Sequence, residues 1–257
     1  MDRIATETFK SLGDSFRAKL QHIRQRQPDM DWYAYDSMAN VAHLIELLPA
    51  DVLRSLTDSS KKSSVLDIGA ADGDLGYFFE SLGCYVDFLD NPPTNANDCR
   101  GIAALGKDLG STAKLITQDI DRRTFALTEQ YDFAIALGLL YHLRNPMGFL
   151  IELAEHAEHM VLSTRVANHL PDGTSISDQS VAYLLYCRES NNDPTNYWTM
   201  SPLGLQTMLK RCGWNVITKK LIGAKNSNPV DQNADQRMFV HCKRVENWRD
   251  LGKHHDF

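Results

Sequence analysis

The run Val65-Leu66-Asp67-Ile68-Gly69-Ala70-Ala71-Asp72-Gly73-Asp74-Leu75-Gly76 is the most informative stretch of this 257-residue chain. Its apolar first half predicts a short strand, and its small residues predict a turn that leads into a helix beginning at about Gly73. Such a turn brings backbone amides close to a ligand, since only small side chains leave room for that approach. Asp67 adds a carboxylate at the carboxyl end of the strand, where open α/β sheets bind ligands.

Apolar runs alternate with helical periodicity from residue 63 onward, which predicts a largely parallel sheet covered by helices on both faces. The predicted strands are residues 64–68, 84–89, 113–117, 132–137, 159–163, 214–218 and 237–242. The predicted helices between them are residues 73–82, 97–109, 146–157 and 202–212. The expected fold class is therefore α/β, with a doubly wound sheet of seven strands.

Two more of the predicted strands are followed by acids. Asp90 ends the second strand and Asp119 lies just beyond the third. In Rossmann-like folds, an acid about 20 residues beyond the glycine turn binds the hydroxyl groups of a ribose. The spacing between Asp67 and Asp90 fits that arrangement and predicts a site for a ribose-containing ligand.

These motifs, in this order, resemble those of class I S-adenosylmethionine-dependent methyltransferases. The resemblance implies a seven-stranded Rossmann-like sheet with an antiparallel last strand, S-adenosyl-L-methionine as cofactor and S-adenosyl-L-homocysteine as product. In that family an acid like Asp119 contacts the adenine amino group, the next residue packs on the ring, and the fourth strand ends beside the methionine moiety. The implied cofactor-binding residues are Asp67, Gly69, Ala70, Ala71, Gly73, Asp90, Asn91, Asp119, Ile120, Leu137 and Gly138.

Two other nucleotide-binding motifs fit the glycine turn less well. Ala71 stands where the dinucleotide fingerprint has its middle glycine, and no Gly-Lys-Ser/Thr follows as a P-loop requires. The acids of this stretch would repel phosphates but would attract a ligand with an ammonium and a sulfonium group. Asp72 and Asp74 are expected at the helix N-terminus, where acidic side chains are favourable. An NAD-dependent enzyme and a non-catalytic protein that keeps the methyltransferase fold remain the alternatives.

The segment Tyr141-His142-Leu143-Arg144-Asn145-Pro146 resembles one found in tRNA wobble-uridine methyl- and carboxymethyl-transferring enzymes and in related small-molecule methyltransferases. Methyl transfer is an in-line displacement for which the protein mainly aligns the acceptor. His142 is a candidate general base because its ordinary pKa suits neutral pH, and Tyr141 is the second candidate catalytic residue. His142 could instead only shape the loop behind the strand.

Residues 164–200 interrupt the alternation and are predicted to form a lid over the substrate, because connections of this length are usually functional or disordered. A helix is expected within them, from Gln179 to Arg188. Arg165 is expected either to bind an acidic group of the substrate or to pair with an acid such as Asp178. Arg165 and Arg237 are also the candidates to pair with a carboxylated form of the cofactor. The aromatic candidates for substrate contact are Tyr183, Tyr197 and Trp198.

The composition narrows the range of partners. A net charge of −6 argues against a general nucleic-acid coat, which is normally basic. The five cysteines are widely spaced and form no C-x-x-C pair, so neither a disulfide framework nor a metal site is expected. The sequence shows no signal region and no apolar stretch of membrane-spanning length, which leads us to expect a cytoplasmic protein without a membrane partner.

Two amphipathic segments, residues 3–26 and 37–48, precede the first predicted strand. They predict an N-terminal helical cap in residues 1–60, followed by a class I methyltransferase domain in residues 61–257. The expected activity is transfer of a methyl group from the sulfonium to an oxygen or nitrogen of a small molecule. A tRNA acceptor of the wobble-uridine type is the alternative.

Overall fold

The computed structural model of the chain describes residues 3–58, 60–122, 126–231 and 233–247. The chain divides into two compact units. The first comprises Met1–Asp119 with Gln130–Ile135, and the second comprises Ile120–Glu129 with Ala136–Phe257. The N-terminal helices therefore belong to the same unit as the first strands, and the boundary near residue 60 stays a prediction.

The first unit begins with three helices and continues with alternating strands and helices. Its helices are α1 (Arg3–Gln25), α2 (Val41–Leu47), α3 (Ala50–Thr57), α4 (Asp74–Ser81) and α5 (Arg100–Leu109). Its strands are β1 (Ser64–Ile68), β2 (Tyr85–Asp90), β3 (Lys114–Thr117) and most of β4 (Tyr131–Leu137). Short 3-10 turns cover Ser37–Asn40 and Pro92–Thr94.

The strands of the first unit form a parallel sheet in the order β3-β2-β1-β4. Leu66 of β1 lies opposite Asp87 on one side and opposite Ala134 on the other. Strand β1 is buried from residue 65 to 68. Parallel strands covered on both faces have nearly continuous apolar sequences, which is why the apolar runs predicted the largely buried β1, β2 and β4 to within a residue or two. The predicted β3 is confirmed too, although most of its residues are exposed.

Helix α1 packs its apolar stripe against α4. The ring centroid of Phe78 lies 5.2 Å from that of Phe9 and 5.8 Å from that of Phe16. Burial of an aromatic side chain contributes about 1.5–3 kcal/mol, so packing of this stripe holds α1 in place. The predicted helix over residues 3–26 is confirmed.

The segment 37–48, predicted as one helix, folds as a 3-10 turn followed by α2. Helix α3 was not predicted. Helix α3 begins directly after Pro49, which has a φ of −58°. Proline is tolerated at the start of a helix because the N–H that it lacks would have no hydrogen-bond partner inside the helix there. Pro49 therefore separates two helices, whereas the sequence pattern indicated only that the first one ends there.

The second unit holds the end of β4 and the remaining elements. Its helices are α6 (Pro146–His156) and α7 (Pro202–Arg211), and its strands are β5 (Ala157–Val166), β6 (Ala182–Leu184), β7 (Trp198–Met200), β8 (Trp214–Gly223) and β9 (Gln236–Arg244). A 3-10 turn covers Leu140–His142. Strand β9 runs antiparallel to both β5 and β8, which confirms the expected antiparallel last strand.

The described residues form nine strands, two more than the seven predicted. The additional strands, β6 and β7, lie within residues 164–200, where β7 pairs parallel with β5 and antiparallel with β6. The helix predicted from Gln179 to Arg188 is wrong, because β6 occupies part of it. Tyr183 is half-buried and Leu184 exposed, a strand-like alternation that pairing with β7 stabilises.

Among the described residues, no helix is both long enough and apolar enough to cross a lipid bilayer.

Candidate functional site

The turn between β1 and α4 is built from residues that accept a left-handed backbone. Gly69, Ala71 and Gly73 have φ values of +63°, +55° and +84°. The Gly69 amide donates to the Leu89 carbonyl at 2.9 Å, which ties the turn to the end of β2. A Cβ on Gly73 would lie 3.0 Å from the rings of Phe88 and Tyr77, so both conformation and space require glycine there.

Asp67 holds the start of α4 against the end of β1. Its carboxylate is 4% exposed and accepts a hydrogen bond from the Gly76 amide at 2.9 Å. A Cβ on Gly76 would lie 2.2 Å from Phe88 Cε1, which explains the glycine. Burial, with smaller contributions from the nearby Asp90 and Asp74 carboxylates, raises the pKa of Asp67 to about 7, against the lowering effect of the Gly76 hydrogen bond. A cation at this carboxylate would favour its ionised form.

Asp90 lies at the end of β2 and faces the turn, as the sequence predicted. Its carboxylate accepts hydrogen bonds from the amides of Ala71 at 3.2 Å and Asn91 at 2.7 Å, and from Asn95 Nδ2 at 3.0 Å. Burial raises the pKa of Asp90, and these hydrogen bonds oppose the rise. A carboxylate offers about four acceptor sites, so these three donors leave about one site for a ligand hydroxyl.

Asp72 and Asp74 bind the N-terminal segment. Arg24 Nη2 lies 3.1 Å from Asp72 Oδ2 and 2.6 Å from Asp74 Oδ1. Asp72 also accepts from the Tyr33 amide at 2.9 Å and from Asn97 Nδ2 at 2.8 Å. The sequence placed these acids at the helix N-terminus. They do lie there, but their hydrogen-bond partners come from elsewhere in the chain, and it is Asp67 that accepts from an amide in the first turn of α4.

The third predicted acid follows β3. Asp119 is half-buried, and the amide of the preceding Gln118 donates to the Asp90 carbonyl at 3.2 Å, so this strand end lies beside that of β2. Ile120, the next residue, is also half-buried and belongs to the second unit.

The end of β4 carries the candidate catalytic residues of the second unit. The Gly138 amide donates to the Ser163 carbonyl at 2.9 Å and lies 3.0 Å from Ser163 Oγ. Leu137, Gly138 and Tyr141 are half-buried. A Cβ on Gly138 would lie 3.8 Å from the Tyr141 hydroxyl.

His142 is held by a short chain of hydrogen bonds. Its Nδ1 lies 2.9 Å from Thr195 Oγ1, which donates its hydrogen to Asp193 Oδ1 at 2.6 Å. Because a hydroxyl has one hydrogen, Nδ1 must be the donor, which assigns the neutral tautomer with a lone pair on Nε2. Burial lowers the pKa of His142; Arg237 lowers it further and Asp193 opposes the change. The imidazole is therefore neutral at pH 7.

A family model described as a methyltransferase domain matches residues 20–219. The chain belongs to this family. This match confirms the resemblance of its motifs to class I S-adenosylmethionine-dependent methyltransferases. The protein is an enzyme of that class, and its cofactor is S-adenosyl-L-methionine. The search of curated proteins found no significant match.

Solved structures of similar fold agree with the family. The N-terminal domain of EvdMO1 with S-adenosylhomocysteine bound aligns at 18% identity and a TM-score of 0.55, covering 89% of this chain and 96% of that one. A putative S-adenosylmethionine-dependent methyltransferase from Listeria monocytogenes aligns at 10% identity and a TM-score of 0.57, covering 82% and 100%. A putative methyltransferase from Bacillus halodurans aligns at 13% and 0.53, covering 73% and 99%.

In this methyltransferase, Arg165 is engaged by the protein itself. The side chain is 4% exposed, and its guanidinium contacts Ser190 Oγ, the Asp231 carbonyl at 2.8 Å and Asp235 Oδ1 at 2.8 Å. The acid that pairs with Arg165 is therefore Asp235, and the expectation of Asp178 is wrong. This geometry favours a structural role for Arg165.

The predicted aromatic residues of the methyltransferase separate into two sets. Tyr197 meets the candidate catalytic segment, since its amide donates to the Tyr141 carbonyl at 2.9 Å. Tyr183 of β6 lies opposite Thr199 of β7, and the Tyr183 hydroxyl is 3.3 Å from Glu189 Oε1. Trp198 lies opposite Leu184 on the other face of that strand pair, and its Nε1 has no hydrogen-bond partner among the described residues.

Asn95 is a further candidate site residue, which the sequence did not indicate. Its Nδ2 donates to Asp90 Oδ2 and to the Ala71 carbonyl, both at 3.0 Å, and its Oδ1 accepts from the amides of Asn97 and Cys99. It thereby joins the turn to the acid of β2. The available signal was an Asn shortly after two prolines, a residue type that commonly bonds its own backbone in turns.

Proposed function

We propose that this methyltransferase methylates an oxygen or nitrogen atom of a small-molecule acceptor, with His142 as general base. The observation that carries the proposal is the chain Asp193–Thr195–His142, which leaves Nε2 of a neutral imidazole able to accept a proton. The acceptor lone pair attacks the sulfonium methyl, the carbon–sulfur bond breaks toward sulfur, and the acceptor proton passes to His142 Nε2. The products are the methylated acceptor and S-adenosyl-L-homocysteine.

We assign cofactor binding to the strand ends of the sheet. Asp90 would accept the ribose hydroxyls, because it is already oriented by three donors. The Asp67 carboxylate would attract the methionine ammonium electrostatically, while its hydrogen bond from the Gly76 amide anchors the turn. The other proposed cofactor contacts are Gly69, Ala70, Ala71, Gly73, Asn91, Asp119, Ile120, Leu137 and Gly138.

Charge and fold support the small-molecule acceptor. The net charge of −6 is opposite in sign to that of typical nucleic-acid-binding domains. The N-terminal domain of EvdMO1, which has the same fold, was crystallised in the presence of S-adenosylhomocysteine and D-fucose. The free thiols, four of them buried, accord with a cytoplasmic enzyme, where we place it.

A tRNA acceptor of the wobble-uridine type is the second candidate, since the segment from Tyr141 to Pro146 resembles that group. Both candidates are tested by incubating the enzyme and methyl-labelled S-adenosylmethionine with either a metabolite extract or bulk tRNA. Label is expected in small molecules, and a His142→Gln variant is expected to incorporate it about 100-fold more slowly. Label in tRNA alone would contradict the small-molecule proposal.

Cofactor binding is tested separately by calorimetric titration with S-adenosylhomocysteine. Micromolar binding that Asp90→Ala weakens by at least about tenfold is expected, because a buried charged acceptor is removed. Lys225→Gln serves as the matched control at an exposed site. Binding of NAD in place of S-adenosylhomocysteine would contradict the assignment of the site.

A further inference from the structure

The turn from Ser190 to Asn196 carries the hydrogen-bond partners of His142. His142 Nδ1 lies 2.9 Å from the Thr195 hydroxyl oxygen and 3.3 Å from the Thr195 carbonyl oxygen. A carbonyl oxygen can only accept a hydrogen bond, so both contacts favour a hydrogen on Nδ1. The tautomer that keeps the lone pair on Nε2 therefore depends on where the turn holds Thr195.

Two residues fix the turn from inside. Asp193 Oδ1 accepts hydrogen bonds from the Thr195 amide at 2.8 Å and from the Thr195 hydroxyl at 2.6 Å. The Ser190 carbonyl accepts from the Asp193 amide and from Asn196 Nδ2, both at 3.1 Å. Ser190 thus ties together the start, the middle and the end of the turn, so the placement of Thr195 follows from the placement of Ser190.

The backbone of this turn is in a conformation that most residues disfavour. Asn191 and Asn192 have φ values of +55° and +53°, and Arg188, which precedes the turn by two residues, has a φ of +67°. Left-handed backbone conformations cost free energy for residues other than glycine, although asparagine tolerates them better than most. The turn therefore needs an anchor outside itself to keep its shape.

Arg165 of β5 supplies that anchor. Its Nη1 donates a hydrogen bond to Ser190 Oγ, and the two residues are only 4% and 1% exposed. Its Nη2 donates to the Asp231 carbonyl at 2.8 Å, and its Nε lies 2.8 Å from Asp235 Oδ1. One planar guanidinium thus joins the turn both to β5 and to the connection between β8 and β9.

We propose that Arg165 and Ser190 are positioning residues for His142: they hold the turn so that Thr195 fixes the tautomer with a hydrogen on Nδ1. The inference rests on the proposed function, in which His142 Nε2 accepts the acceptor proton. Without the anchor the turn relaxes and Nδ1 loses its acceptors. A hydrogen on Nε2 then removes the lone pair that base catalysis needs. Arg165 therefore acts on the reaction through the turn.

The test measures the His142 tautomer by two-bond ¹H–¹⁵N correlation NMR of the unliganded enzyme with ¹⁵N-labelled histidine. The proteins are the wild type, Ser190→Ala, Arg165→Lys and Ser227→Ala, and a His142→Gln variant identifies the signals of His142. Spectra at pH 8 report the neutral ring, since burial lowers the His142 pKa. Ser227→Ala is the matched control, because Ser227 is 0% exposed and its hydroxyl oxygen accepts from the Asn168 amide instead of contacting Arg165.

The wild type and Ser227→Ala are expected to carry the hydrogen on Nδ1. Ser190→Ala and Arg165→Lys are expected to lose this pattern and to show signals of a hydrogen on Nε2. An ammonium group does not reproduce the fixed fork of a guanidinium, so Lys should not restore the anchor. Thermal unfolding of each variant shows whether it is folded and by how much it is destabilised.

A hydrogen on Nε2 in the wild type would overturn the proposal. So would an unchanged tautomer in Ser190→Ala, which removes a single hydroxyl and decides the question if Arg165→Lys does not fold. An equal tautomer change in Ser227→Ala would mean a general loosening of the protein and would also refute the positioning role. Because the spectra need no turnover, they are independent of the proposed function, which fails instead if His142→Gln methylates as fast as the wild type.

Discussion

Replacement of Asp67 by Asn should change how the stability of the protein depends on pH. In the folded protein burial raises the Asp67 pKa from 3.8 to about 7. A carboxyl group whose pKa is higher in the folded state stabilises the fold at low pH, and this contribution is lost as the pH rises through about 7. From these two pKa values, the loss between pH 5 and pH 8 is about 2–3 kcal/mol. Asn does not titrate, and its side-chain oxygen can still accept the hydrogen bond from the Gly76 amide.

The assay is urea unfolding of the unliganded wild type and of Asp67→Asn at pH 5 and pH 8, with the free energies extrapolated to zero urea. The stability of the wild type relative to the variant should fall by about 2–3 kcal/mol from pH 5 to pH 8. The other titrating groups are common to both proteins, and all except Asp90 and Asp74, whose carboxylates interact with Asp67, cancel in the comparison. A difference that stays constant with pH, or that grows as the pH rises, would refute the reasoning about the buried carboxyl group.

Four further outcomes are expected. Gly76→Ala should destabilise the protein by about 2 kcal/mol in urea unfolding, because its Cβ would lie 2.2 Å from Phe88 Cε1; unchanged stability would contradict that packing. Asn95→Ala should weaken S-adenosylhomocysteine binding about tenfold in calorimetry, because Asp90 loses a donor that orients it, and full affinity would remove Asn95 from the site. His142→Gln should lower kcat about 100-fold and leave S-adenosylhomocysteine affinity unchanged. The acid limb of the wild-type pH–rate profile should lie below pH 6.5, because burial lowers the His142 pKa, and a limb above that pH would exclude His142 as the base.

The sequence predicted the parallel strands of the first unit. Strands β1, β2 and β4 are largely buried and have five to seven residues each, whereas the four residues of β3 are mostly exposed. Strands β6 and β7 have three residues each, which is too short for any periodicity to appear. Their structure depends on pairing with each other and with β5, so the pattern around Gln179 was misread as a helix.

The candidate site was predictable where its residues follow a fixed spacing along the chain. Asp67, Asp90 and the glycine turn come together because parallel strands place their carboxyl ends at one edge. Arg165 could not be assigned in the same way, because its partner Asp235 lies on a connection 70 positions further along, and no local pattern encodes that pairing. Asn95 and Ser190 likewise acquire a role only through neighbours that folding brings to them.

Asp72 has a consequence for the order in which the protein folds. Its three donors, Arg24, Tyr33 and Asn97, lie 48, 39 and 25 positions away in the sequence. Contacts between such distant residues require closure of long loops, so they form after the local helices and the adjacent strands. Because the Tyr33 amide donates to Asp72, its hydrogen exchange would report detachment of the N-terminal segment independently of global unfolding.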